Sequence, residues 1–595
     1  MIKSSIFSSS NAFIRNARCF RSLAGLIMCA VTGLAVAQTP KYGVHEKAIE
    51  RVSEARDVAP LKVDGLFGDG LSMYNGSVDV AVADVSVPGN SGLPVELRRR
   101  FNVVDRRETA AISWFDHFGG FAEWDLDVPH LSGTFAASTG WQVSGSSPNQ
   151  RCSTTSTPPA QTYFPAYHYW NGYRLNTPGQ GERPLLARMA GSAIPTPSDG
   201  DAYPWITKDF WTIKCKPSTK NGYAGEAFIA VSPNGTRYHL DHVITRSTSS
   251  SKNYAGNSEV SIARVSVYFV ATRIEDRFGN WVDYAWSGGK LQSITANDGR
   301  QITVSYDTSG RIVSAVAPSG TWNYGYLNGR LRTVTRPDAS QWTYQAEGKL
   351  NLAGADPLPS DDPINNCPEN FDGVAGAFIY TITHPSGASA RFEFQGVRHH
   401  RSNTPKYCVK PNNQYEYLQI PNYSDNFTLT KKTISGPGLA PMVWKYTYGL
   451  GAADSYMTDC SLGIDELCPP TKQQTVTGPD GVWERYEYGI MYGLNEGQLL
   501  KKETGTGPSD ILQTETYSYI PESASSSQNF PNAVGTDPRS FSDTLSSSKL
   551  RPLITKTIQL QGIGFNWQVD LCGTTLCFDA FARPVRIVRG SAPSP

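Results

Sequence analysis

Apolar and polar positions alternate along much of this chain with the period of a half-buried strand. In Asn75–Asn102, Val78, Val80 and Val82 alternate with Asp79 and Ala81. Pro88-Gly89-Asn90-Ser91-Gly92 reads as a turn, after which Leu93–Phe101 returns as a second strand. The pattern is clearest in 273–348, where it repeats. Gly279, Gly299 and Gly320 each precede a run with apolar or aromatic residues at i, i+2 and i+4: Val282-Asp283-Tyr284-Ala285-Trp286, Ile302-Thr303-Val304-Ser305-Tyr306 and Trp322-Asn323-Tyr324-Gly325-Tyr326. A second series interleaves with the first: Gly289-Lys290-Leu291, Gly310-Arg311-Ile312, Gly329-Arg330-Leu331 and Gly348-Lys349-Leu350. Spacings are 20 and 21 in the first series, and 21, 19 and 19 in the second. Each unit is therefore two strands and two turns. A lone hairpin is marginal in water, so neighbouring hairpins must pair side by side into one growing sheet. The alternation slips in places, which predicts bulges.

Composition supports the same class. Across 595 residues, Gly 54 and Pro 39 are spread rather than periodic, which excludes collagen. Aromatics at 11% exclude a disordered chain, and charged residues at 18% disfavour long helical arrays. The block 114–245 is rich in Trp, Tyr and Gly, with a loop expected at Ser144–Gln161.

The first 37 residues carry Lys3, Arg15, Arg18 and Arg21 and no acid, followed by an apolar run from Leu23 to Val36. With Ala35-Val36-Ala37 before Gln38, this reads as a secretory signal cleaved between Ala37 and Gln38. The alternative is an uncleaved anchor; no later run reaches the length of a membrane span. Without those four basic residues the formal charge falls from +1 to −3, which gives no electrostatic case for nucleic acid. Eight cysteines remain, an even number behind an export signal, and disulfides are expected. Pairing by proximity gives Cys152–Cys215, Cys367–Cys408, Cys460–Cys468 and Cys572–Cys577.

Several stretches carry a family resemblance. Asp276-Arg277-Phe278-Gly279-Asn280, Tyr306-Asp307-Thr308-Ser309-Gly310-Arg311, Gly329-Arg330-Leu331 and Phe578-Asp579-Ala580-Phe581-Ala582-Arg583-Pro584 resemble the YD repeats of the Rhs family, which includes the B/C components of Tc toxins. Asn75–Asn102 is similar to the opening of such shells. The best match covers about 75 residues, with degenerate copies at Gly387–Phe394, Gly481–Tyr488 and Ile554–Pro584, and with insertions at 351–376 and 400–430. Two departures stand out: Ala582 replaces a glycine, and no Asp-Pro pair has the context of the family's self-cleavage site. The resemblance implies an all-β fold in which the hairpin array forms a large curled or spiral sheet, a partial Rhs-type shell, with an N-terminal β region. It implies a truncated or degenerate form without a C-terminal toxin domain. The expected layout is a signal at 1–37, a polar leader at 38–60, an N-terminal β region at 61–250, the array at 260–350 and an interrupted continuation at 351–595. Its repeat-defining positions are Gly279, Tyr284, Gly289, Gly299, Tyr306, Asp307, Gly310, Arg311, Gly320, Tyr326, Gly329 and Arg330.

The search for catalytic motifs is negative, and neither cofactor nor metal is expected. Gly65–Gly70 lacks the order of a dinucleotide fingerprint and reads as a loop. His239 and Asp241 share a strand face by parity, with His242 opposite; His399-His400 reads as a solvated loop. Asp125 and Asp127 share a face and could form a carboxylate pair, as could Asp361-Asp362, but chance explains such pairs. Arg98-Arg99-Arg100 reads as a solvated strand edge. Three functions compete. The first is an exported structural protein at the cell surface or outside the cell, a shell or scaffold in contact-dependent competition or toxin delivery, with a protein partner or cargo encoded nearby. The second is a module that binds cell-wall or surface polysaccharide through aromatics such as Trp281 and Trp322. The third, weakest, is a glycoside hydrolase.

Overall fold

The computed structural model describes residues 67–593 apart from 105–117, 138–148, 189–196, 353–373, 403–422, 450–469, 534–550 and breaks of one to three positions. The expected signal, its Ala37–Gln38 junction, the leader and Cys367, Cys408, Cys460 and Cys468 lie outside the described residues, as do Asp361 and Asp362.

The chain is all-β. Among the described residues one helix occurs, Glu522–Ser526, a single turn. Two sheets organise most of the rest, beside two small two-stranded ribbons, Ser251–Ala255 with Ser258–Ile262 and Leu571–Cys572 with Thr575–Leu576. A five-stranded sheet runs in the spatial order Asp69–Leu71, Val78–Ser86, Glu96–Asn102, Trp124–Leu126, Gly120–Phe121. The large sheet is antiparallel and grows strand by strand in sequence order from Trp281–Ser287 to Asp510–Tyr519, then through Leu553–Leu560 and Ile563–Val569 to Ile587–Pro593. Pair by pair the ladder stays open: among the described residues Ile587–Pro593 pairs on one side only, with Ile563–Val569. The accumulated strand twist curls such a sheet without closing it.

The array begins at a fork. One edge of Arg264–Glu275 carries Arg237–Ser247 along its length. The other edge carries His130–Ala136 on its first seven residues and Trp281–Ser287 on its last three. From there each hairpin is the expected unit, and the two glycine series mark opposite rims of the sheet. Gly279 and Gly299 lie in turns at one rim, where Gly320 opens the strand Gly320–Leu327; Gly289, Gly310 and Gly329 lie in turns at the other, where Gly348 ends the strand Gln341–Gly348. All seven take positive φ. The predicted bulges occur where the second-series turns begin to pair, at Ala285/Trp286, Ser305/Tyr306 and Gly325/Tyr326.

One face of the array, with Val282, Tyr284, Ile302, Trp322, Tyr324, Tyr344, Phe378 and Phe392, shares a single core with Val80, Leu97, Phe101, Trp124 and Leu126 of the small sheet. The small sheet thus lines the inner face of the first half of the array. Coverage ends later: Ile563, Phe565, Ile587 and Val588 are exposed.

Three expectations are corrected here. Arg98-Arg99-Arg100 is not an edge: Glu96–Asn102 is paired on both sides, and its alternation turns Leu97, Arg99 and Phe101 inward. Asp69–Leu71 is a strand rather than loop, because Val78–Val80 pairs with it. His399 and His400 end a strand, Ser389–His400, held in register by Tyr423–Gly436.

Candidate functional site

The repeat's polar residues are engaged with one another. Tyr306 donates its hydroxyl to the Leu291 carbonyl at 2.8 Å, and Tyr326 to that of Ile312 at 2.6 Å. Each acceptor lies two residues beyond a second-series glycine of the preceding hairpin, so each tyrosine ties its own hairpin to the one before. Tyr519 makes the same bond to Leu499, two residues beyond Gly497, at 3.1 Å. Sequence reading missed this copy, because Tyr519 lies 20 residues beyond its acceptor where Tyr306 and Tyr326 lie 15 and 14 beyond theirs. Tyr284 is instead a buried core residue.

The turn aspartates act as caps. Asp307 accepts from the Arg311 amide and guanidinium, both at 2.8 Å, and Asp276 accepts from the Phe278 and Asn280 amides at 2.8 and 3.0 Å. Asp579 accepts from the Phe581 and Arg583 amides at 2.9 Å. Ala582, where the repeat resemblance expects glycine, still adopts φ 61°, so the turn survives at some conformational cost. The Asn280 side-chain amide also donates to Asp276 at 2.8 Å, and this bond first, with the backbone amides, holds Asp276 below the ordinary carboxylate range.

The basic residue after each second-series glycine lies at one rim. Lys290 sits 5.1 Å from the Tyr306 ring centroid and Arg311 4.6 Å from that of Tyr326. Arg311, Arg330 and Lys349 converge on a cavity of about 580 Å³. Two hairpin tips meet there. Ala122 (φ 60°) and Glu123 turn the small sheet, while Asn328 (φ 52°) and Gly329 turn the array. Glu123 Oε2 accepts from the Leu331 amide at 2.9 Å and joins the two tips. Phe101, Phe378 and Tyr380 form the floor, with Phe101 stacked on Tyr380 at 4.7 Å.

Buried polar groups pin the small sheet to the array at intervals. Arg99 Nε donates to Asp84 Oδ2 at 2.7 Å and its Nη2 to the Tyr344 hydroxyl; its guanidinium lies 4.1 Å from the Trp124 ring centroid. Burial is the largest single influence and opposes this charge, but Asp84 together with Tyr344 and Tyr324 raises the Arg99 pKa. Asp84 faces inward by the parity of its strand, following Val78, Val80 and Val82, and the bulge between Ala83 and Val85 brings Val85 to the same face. Arg300 donates to the Val87 and Leu93 carbonyls at 3.1 Å each, and Lys432 pairs with Asp69 at 2.6 Å. Thr428 donates to the Asn75 carbonyl at 2.9 Å and Gln474 to that of Tyr74 at 3.1 Å.

His399 lies in this seam, buried, with Nε2 3.0 Å from Thr428 Oγ1 and Nδ1 3.3 Å from Lys472 Nζ. Lys472 Nζ stands 3.8 Å from the Tyr74 ring centroid. Burial lowers the Lys472 ammonium to about 8; burial and then Lys472 lower the His399 imidazole to about 3. A neutral imidazole accepting from the amine satisfies both groups.

The other sequence candidates disperse. A bulge breaks the parity at His239–His242, and Asp241 is taken by Lys216 and by the Thr272 hydroxyl at 2.6 Å. His242 stacks on Trp286. Asp125 accepts from the Gly119 amide at 2.6 Å, and Asp127 lies 3.7 Å from Arg98. Among the described residues no group of three or more His, Cys, Asp or Glu is arranged to hold a metal. Trp322 is buried in the core and Trp281 lies against Arg273, 4.6 Å from ring centroid to guanidinium. Cys152 is bonded to Cys215 with Cα atoms 5.5 Å apart, and Cys572 to Cys577. Among the described residues no helix is long and apolar enough to cross a membrane.

No family model matches the chain. No curated protein matches it either. Among solved structures, 24 chains match. One is "Crystal Structure of TcdB2-TccC3-Cdc42", 12% identical, covering 84% of this chain and 25% of that one at a TM-score of 0.17. This chain therefore spans a quarter of the length of that solved chain, and a superposition so loose transfers nothing from the complex to it.

Proposed function

We propose that this protein is an exported scaffold of the Rhs or YD-repeat type, at the cell surface or outside the cell, that serves as a shell or docking frame in contact-dependent competition or toxin delivery rather than as an enzyme. The observation that carries the reading is the tie from Tyr306, Tyr326 and Tyr519 to the preceding hairpin. It directs the most regular chemistry of the repeat to building a sheet instead of to a substrate. The disulfide between Cys152 and Cys215 suits an oxidising compartment. The test is export of the full chain from its own start codon. Fractionation and N-terminal sequencing should find a mature chain beginning at Gln38 in the envelope or medium, digestible by protease on intact cells. A full-length chain retained in the cytoplasm would sink the proposal.

A second reading, a module that binds cell-wall or surface polysaccharide, is favoured by the cavity and the cations at its mouth. It no longer leans on Trp322, which is core.

A further inference from the structure

We infer that the rim bearing Arg311, Arg330 and Lys349, with the cavity behind it, binds a linear acidic polysaccharide, its carboxylates on the cations and one neutral stretch of sugar ring in the cavity. The inference rests on the second reading above and gives it a ligand class.

The first argument is spacing. Successive second-series turns are separated by two strands, and strands lie about 4.8 Å apart, so cations on this rim recur at about 10 Å. A polymer with one carboxylate per disaccharide presents charge at a comparable interval. A nucleic-acid strand presents a phosphate every ~3.4 Å, so most of its charges would face no cation.

The second argument is availability. Arg311 is held by Asp307 at 2.7 Å, but no described carboxylate comes within ion-pair distance of Arg330 or Lys349. Arg330 meets the Gly348 carbonyl at 3.4 Å and the Phe378 ring, 5.9 Å from its centroid, neither of which neutralises its charge, and Lys349 is exposed. Two cations thus stand at the mouth of a concave site without their charge neutralised.

The third argument is the cavity. About 580 Å³ falls within the range of small-ligand sites, roughly 300–1,000 Å³. Its floor is aromatic, and Asn328 and Asn351 at its mouth are exposed amides able to exchange hydrogen bonds with sugar hydroxyls. The Glu123 carboxylate on its wall disfavours an anion inside, which leaves carboxylates at the rim and neutral ring within.

Affinity electrophoresis of the full chain tests this, with hyaluronate (one carboxylate per disaccharide), neutral dextran or single-stranded DNA in the gel. Hyaluronate should retard the protein and dextran should not. Arg330→Gln/Lys349→Gln should weaken that binding about tenfold, the combined value of two exposed ion pairs. Lys445→Gln, an exposed lysine elsewhere on the sheet, and the charge-conserving Arg330→Lys/Lys349→Arg should bind within about twofold of the parent protein. The inference is overturned by absent retardation, by retention on dextran equal to that on hyaluronate, by tighter binding to DNA, or by an undiminished double variant. If the double variant does not fold, the Lys349→Gln single variant decides. None of these results bears on export, so failure here leaves the scaffold proposal standing.

Discussion

Arg99 and Asp84 form a two-point ion pair inside the core, Nε to Oδ2 at 2.7 Å and Nη2 to Oδ1 at 3.1 Å, with both side chains almost fully removed from water. Strand alternation supplies both residues: Arg99 stands between Leu97 and Phe101, and Asp84 follows Val78, Val80 and Val82 on the inward face. Asp84→Asn should cost about 3–5 kcal/mol, because it leaves a buried guanidinium without its counter-charge. Urea unfolding should also show that Arg99→Met/Asp84→Leu loses less than Asp84→Asn alone. A loss below 1 kcal/mol for Asp84→Asn would mean that the pair is solvated.

The seam at His399 and Lys472 predicts a pH dependence. The His399 imidazole titrates near 3 when folded and near its ordinary value of 6.5 when unfolded. Between these the unfolded chain binds more protons, so stability falls as pH falls from 6.5 towards 3. His399→Gln should therefore lose less melting temperature between pH 7 and pH 4.5 than the parent protein.

Lys472 acts in the alkaline window. Its folded value near 8 lies below the ordinary 10.5, so the penalty for burying the ammonium is complete below pH 8 and is relieved as pH rises towards 10. Lys472→Met should melt higher than the parent protein at pH 7, and the difference should shrink by pH 9.5. A constant difference would show that packing, not charge, sets it.

Two rim glycines should respond differently to alanine. Gly299 has φ +87° and open space where a Cβ would stand, so Gly299→Ala should cost about 1 kcal/mol from backbone conformation alone. At Gly320, with φ +130°, a Cβ would lie 2.5 Å from Pro337 Cβ, which adds an overpacking penalty of about 1–3 kcal/mol. Paired chemical denaturation of the two variants separates the terms.

Cys152 and Cys215 close a loop of 63 residues. In the chain-entropy account, Cys152→Ala/Cys215→Ala should lose about 4 kcal/mol, seen as a lower urea midpoint under oxidising conditions. No change would mean that the loop is already ordered in the unfolded chain.

The sequence by itself determined the strand period, the hairpin unit near 20 residues and the two glycine series, because these follow from local alternation and from turns that need positive φ. Cys152–Cys215 and Cys572–Cys577 also agree with pairing by proximity. What local pattern leaves open is which faces meet. Arg99 looked like part of a solvated triplet until pairing on both sides of its strand turned it inward. Asp241 escaped parity because a bulge re-aims a side chain without marking the sequence. The Glu123–Leu331, Lys432–Asp69 and Lys472–His399 contacts join residues 208, 363 and 73 positions apart. Only the seating of the small sheet on the array brings the first two pairs together, and only the pairing of distant strands the third. The cavity at Arg311, Arg330 and Lys349 arises the same way, where a tip of one sheet meets a tip of the other. The period of the chain placed those cations on one rim, and tertiary packing decided that they face a hollow.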